Sequence, residues 1–209
     1  MDKAVQLVHA GLIPIDANVR MRHLDRYGHV KPIFQENALC ISLIKSGRLS
    51  PLWINRWYSS LLAPFLGYWA TEKDGRNAVT DAGRAAVASR INGSGGAAAF
   101  TSIGQGTGTT AAAAGDTALQ TGVKADGTAD GGVHALATAS VTVSRVTTTV
   151  TNDTAQLVGT VSETATIAVT ESGVFNADTS GTLLCRQTFS AVNVVSGDSL
   201  QFTWKIKAA

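Results

Sequence analysis

The side chains best suited to chemistry in this 209-residue chain are four histidines, two cysteines and fifteen carboxylates, and their spacing supports little of it. His9, His23, His29 and His134 fall in no HExxH or other metal-ligand pattern, and no GxSxG nucleophile elbow occurs. His23 stands two residues from Asp25 in an expected hairpin, where a structural or solvent-facing pair is expected rather than a catalytic one. Cys40 and Cys185 belong to no CxxC or Cys/His cluster, so two reduced, mostly buried thiols are expected and zinc is not. The carboxylates of the second half are scattered among turn residues. Glycoside hydrolysis needs two of them facing one another across a cleft, so a glycan-degrading enzyme is not expected.

Two glycine-bearing loops invite a ligand at first sight. Gly104-Gln105-Gly106-Thr107-Gly108-Thr109-Thr110 has the look of a phosphate cradle. A dinucleotide fingerprint, however, requires GxGxxG between a strand and a helix; here the third glycine comes one place early and an Ala run follows. Asp126-Gly127-Thr128-Ala129-Asp130-Gly131 offers oxygens to calcium but lacks the ligand spacing and closing Glu of an EF-hand. The first predicts a permissive surface loop and the second a turn between strands. No cofactor and no metal are expected.

The elements that position these residues divide at Gly93-Ser94-Gly95-Gly96. Ahead of it the chain is aromatic and basic, with 12 Lys/Arg against 7 Asp/Glu in residues 1–90; behind it the count is 5 against 8 and the composition turns to Thr, Ala, Gly and Val. The division predicts a head or docking arm over residues 1–92, a linker at 93–97 and a body over 98–209. In the head, Val19-Arg20-Met21-Arg22-His23 alternates like a half-exposed strand, and Asp25-Arg26-Tyr27-Gly28 reads as a turn. Val30 to Phe34 runs back as a strand that Pro32 confines to an edge. Asn37 to Ser46 fits helix or strand and stops at Gly47. Thr80 to Ile91 predicts a helix capped by Thr80 or Asp81 and ended by Gly93, with Ala82, Ala86, Val87 and Ile91 on its apolar face; Gly83 within that face costs about 1 kcal/mol against Ala.

The body reads as short strands. In Ser199 to Ala208, Leu200, Phe202, Trp204 and Ile206 alternate with Gln201, Thr203, Lys205 and Lys207, the pattern of a sheet with one buried and one wet face. Val141–Thr151, Gln156–Val161 and Thr164–Thr170 are rich in β-branched residues, with turn residues between them. The expected fold is mainly β: an antiparallel β-sandwich preceded by a small α+β or extended head and one short helix.

Charged residues are only 15% and the net charge is +2, which argues against a nucleic-acid partner. Six of the 13 aromatic residues lie between Trp53 and Trp69: Trp53, Trp57, Tyr58, Phe65, Tyr68 and Trp69. A membrane span over Leu52–Ala70 would enclose Asn55, Arg56 and Pro64, so no membrane is expected. Two readings stay open for the aromatic stretch: the small core of the head, or an interface anchor, since Trp, Tyr and Arg dominate binding hot spots. A segment of roughly sixty residues encloses so many rings with difficulty, which favours the anchor. The candidate interface is then Trp53, Arg56, Trp57, Tyr58, Phe65, Tyr68 and Trp69, with Arg20 and Arg22 adding electrostatic steering.

Several strings in the second half resemble structural proteins of tailed-bacteriophage virions: Ile103–Thr110, Ala114–Leu119, Thr166–Ala177, Gly181–Arg186, and Phe189–Ala191 with Val195–Leu200. The likeness covers about residues 78–209. It implies a non-enzymatic virion part assembled in a host cytoplasm, whose partners are major capsid or tail subunits. A capsid decoration or cement protein is the first expectation, and a tail-fibre or baseplate component the alternative. A homo-oligomer, with a trimer as the guess, follows only from analogy of architecture.

Overall fold

The structure is a computed structural model; it describes residues 15–56, 59–76, 78–130 and 141–208. Trp57, Tyr58, His9 and His134 therefore lie outside the described residues.

Strand β1 (Ile15–Leu24) opens the described chain, followed by β2 (Val30–Lys31) and β3 (Ile33–Glu36) on either side of Pro32. Helix α1 (Ala38–Lys45), a 3-10 turn (Pro51–Asn55) and helix α2 (Ser59–Leu66) lead to β4 (Gly67–Ala70), β5 (Lys73–Arg76), β6 (Ala78–Val79) and helix α3 (Asp81–Asn92). The remaining strands are β7 (Ser102–Gly106), β8 (Val141–Val146), β9 (Thr154–Ser162), β10 (Ile167–Phe175), β11 (Leu183–Val194) and β12 (Ser199–Ala208). The fold is mainly β and its sheets are antiparallel.

Six strands form the larger sheet, in the order β2-β1-β12-β9-β8 with β5 also on β1; four form a second, in the order β6-β11-β10-β7. Strands β3 and β4 make a separate ribbon. The alternation expected in β12 holds: Leu200, Phe202 and Trp204 are fully buried. They share one core with Ala17, Val19 and Met21 of β1 and with Val169, Val174, Cys185 and Val192 of the four-stranded sheet.

That shared core corrects the division into head, linker and body. Gly93 does end α3 with left-handed backbone (φ 70°). Yet β1 pairs with β12 along its whole length, from Ile15↔Ala208 to Leu24↔Ser199, and β6 pairs with β11. Strands from both sides of residues 93–97 thus complete the same sheets. Composition shifts at the glycines, but pairing between strands some 180 residues apart leaves no local mark.

Helix α3 follows the expected caps: the Thr80 Oγ1 accepts from Gly83 N, and Thr80 donates its own hydroxyl proton to the Leu183 carbonyl. Gly83 has a reason to be there. A Cβ at that position would sit 2.4 Å from the Leu184 carbonyl oxygen, so the helix approaches β11 more closely than alanine allows. The apolar face is narrower than expected, with Ala86 buried and Ile91 exposed. The stretch Asn37–Ser46 resolves to helix because the Asn37 side chain caps it, accepting from Cys40 N at 2.9 Å.

Candidate docking surface and buried charge clusters

Residues 33–56 and 59–70 form a small lobe against β11. Asn37 fastens the start of α1 to the end of α2, donating from its amide to the Phe65 carbonyl (2.8 Å) and from its backbone to the Leu66 carbonyl (2.9 Å). The lobe core is Phe34, Cys40, Trp53 and Leu66, with Phe34 edge-on to Trp53 at 5.0 Å between ring centres. Trp53 is fully buried, so it holds the lobe together and meets no partner. Cys40 is buried as expected, and loss of hydration pushes its thiol up to about 11. Cys185 is likewise buried, its thiol pushed up by desolvation. Neither is a nucleophile at neutral pH.

Below the lobe sits a buried ion pair that the sequence does not announce. Lys73, 1% exposed, donates to the Phe34 carbonyl (2.8 Å), the Ser190 hydroxyl (2.7 Å) and the Glu36 carboxylate (2.5 Å). Glu36 in turn accepts from the Ser190 backbone, so β3, β5 and β11 are riveted together. Burial alone would raise the Glu36 carboxyl, but the Lys73 ammonium and the hydrogen bonds from Ser190 together more than offset it and hold the group below its ordinary range.

Phe65, Tyr68 and Trp69, the other described rings of the aromatic stretch, face outward. Leu61 is 71% exposed, Phe65 70%, Tyr68 63% and Trp69 58%; Leu39 and Ile41 of α1 are exposed as well. Leu61 and Phe65 are one helical turn apart on α2, and Trp69 leans edge-on against Phe34 at 5.6 Å. A groove of about 320 Å³ runs beside it between Ile54, Lys31 and Asn193. The residues of the stretch thus divide: Trp53 is core, while Phe65, Tyr68 and Trp69 are exposed at the surface. Arg56 is exposed.

Arg20 and Arg22 are exposed on β1 but already paired. Arg20 binds Asp74 (2.7 Å) and Glu72 (3.1 Å), and Arg22 binds Glu72. The expected steering charge is thereby largely answered within the chain. Spacing did not show this because Glu72 and Asp74 reach β1 through the β5 pairing.

The glycine loop after β7 binds an anion, and the anion is the chain's own. Glu171 of β10, 0% exposed, accepts from the backbone of Gly108 (3.0 Å), Thr121 (2.7 Å) and Gln120 (3.1 Å), and from Arg186 Nε (2.7 Å). Arg186 reaches on to Asp116 (2.7 Å) and the Thr110 carbonyl (2.9 Å). A Cβ at Gly106 or Gly108 would approach the Glu171 carboxylate to 2.5 or 2.4 Å, so these glycines are required by packing. The second loop is a turn, as expected: Asp126 accepts from the backbone and hydroxyl of Thr128. Among the described residues no group of three or more His, Cys, Asp or Glu side chains is placed to hold a metal ion. No helix among them is long and apolar enough to cross a membrane.

His23 pairs with Asp198 rather than Asp25, its Nε2 lying 2.8 Å from Oδ2, and Lys31 donates to the same oxygen (2.7 Å). Asp25 instead shapes the hairpin turn, accepting from the backbone of Tyr27 and His29.

The geometry thus defines a mainly β protein with one shared core and a lobe that presents rings to solvent. No protein-family model, no curated protein and no solved structure matches the chain.

Proposed function

We propose that the protein is a non-enzymatic structural subunit of a phage-type particle: a capsid decoration or cement protein that docks through the lobe between β3 and β4. The observation that carries the reading is the set of exposed large apolar side chains at Leu61, Phe65, Tyr68 and Trp69, crowded into nine residues of chain. Exposed apolar groups of this size, concentrated rather than scattered, are the mark of a surface built to be covered. The resemblance of strings in residues 78–209 to virion proteins points to another virion subunit as the partner, and a shell subunit is the one proposed. Mechanistically the protein reinforces: it binds the assembled shell and not free subunits, so each contact stabilises the assembly by linkage, and several copies act together through effective concentration. Contact energy comes from burying the rings, because Arg20 and Arg22 are committed to Glu72 and Asp74.

The test is incorporation. Leu61→Ser, Phe65→Ser and Tyr68→Ser together should leave the fold intact by circular dichroism and remove the protein from purified particles. Undiminished incorporation contradicts the reading. Recovery of the unaltered protein with purified tails instead of heads reassigns it to a tail-fibre or baseplate component.

A further inference from the structure

At one end of the two sheets the β9–β10 and β11–β12 turns are laced together. Glu163 donates its backbone N–H to the Asp198 carbonyl (2.8 Å), and Gly197 donates to the Glu163 carbonyl (2.8 Å). The Glu163 side chain points into the protein, 2% exposed, beside the Gln105 amide of β7, itself 3% exposed. Neither Glu163 oxygen and neither polar atom of the Gln105 amide makes a hydrogen bond of good geometry, although the amide lies close enough to Glu163 to favour its charged form. Four buried polar atoms without well-made hydrogen bonds in one spot require an explanation.

A proton supplies it. A neutral carboxylic acid and a primary amide are complementary: the acid O–H donates to the amide oxygen, and the amide N–H donates to the acid carbonyl. An ionised carboxylate sets two acceptor oxygens against the amide oxygen and loses one of those bonds. We propose that Glu163 and Gln105 form a neutral acid–amide pair latching β7 to the β9–β10 turn, with a solvent proton as its ligand and proton release opening the latch.

The surroundings agree. Asp198, 3% exposed on the β11–β12 turn, carries a negative charge toward Glu163, and its own carboxylate already takes up its neighbours, the Lys31 ammonium from β2 and the His23 ring from β1. Burial holds the His23 imidazole below its ordinary range, against the pull of Asp198. Arg26 packs its stem on Gly197. From the loop whose Ala125 carbonyl accepts Thr164 N–H, Lys124 and Asp126 are exposed and Asp130 is half-buried. Burial outweighs the opposing hydrogen bond from Gln105 and, with Asp198 nearby, pushes the Glu163 carboxyl from its ordinary 4.5 up to about 7.

The sign follows. Between pH 4.5 and about 7 the folded protein holds a proton that the unfolded chain releases, so the latch's contribution is full below this window and lost as pH rises through it. His23 acts oppositely, since its lowered affinity makes stability rise with pH below about 6.5. Comparison with Glu163→Gln, which keeps an amide partner for Gln105 at every pH, cancels the histidine. Urea denaturation should show the folding equilibrium constant of the wild type falling about tenfold or more relative to Glu163→Gln between pH 5 and pH 8. Infrared spectra of the unaltered protein near pH 6 should also carry a protonated-carboxyl band that vanishes by pH 8. If Glu163→Gln does not fold, this band alone decides. Parallel pH profiles, or no such band, overturn the proposal.

Discussion

The loop after β7 and the lobe between β3 and β4 treat surplus groups in opposite ways. The loop brings backbone N–H groups, glycines and an arginine around Glu171 until the charged groups at its centre have partners from the same chain. The lobe encloses Phe34 and Trp53 and leaves Phe65, Tyr68 and Trp69 exposed to water. Residue type therefore says little about where binding happens. The loop has the glycines and threonines of a ligand cradle and is full; the lobe has the composition of a core and is open.

The contrast can be broken most forcefully at the loop. Glu171→Ala leaves the Arg186 Nε and three backbone donors without their acceptor in a buried site, and should cost roughly 3–5 kcal/mol in urea denaturation. A loss below about 1 kcal/mol would mean that the carboxylate is dispensable to the loop. Gly108→Ala should cost about 1–3 kcal/mol, because the added methyl meets the carboxylate at 2.4 Å. Stabilisation by the same change, through the ordinary backbone effect of replacing glycine, would show the loop to be looser than described. The smallest effect belongs to the lobe: the Leu61, Phe65 and Tyr68 serine substitutions, each on an exposed side chain, should each shift stability by only about 0.5 kcal/mol while removing association.

Legibility in the sequence followed the range of the interaction. Strand β12 was readable because its alternation is a local pattern, and α3 because Thr80 and Gly93 mark its ends. The β1 alternation was equally plain. Its partner was not, since nothing near Val19 announces Trp204, and so the glycines at 93–96 suggested a boundary that the sheets cross. For the candidate site, the aromatic spacing located the lobe but not which rings turn inward; that depends on Phe34 and Cys40, outside the stretch. The buried charges were hidden most completely. Glu36, Lys73, Glu171 and Arg186 look like solvated residues until folding brings them together across 15 or more positions. His23 shows the same limit, preferring Asp198 to its near neighbour Asp25.

A three-dimensional map of the intact particle by electron cryomicroscopy puts the proposed role to its most direct trial. Density for a shell subunit should cover Leu61, Phe65, Tyr68 and Trp69. A map in which those four side chains face solvent, with some other surface of the protein against the particle, would contradict the account.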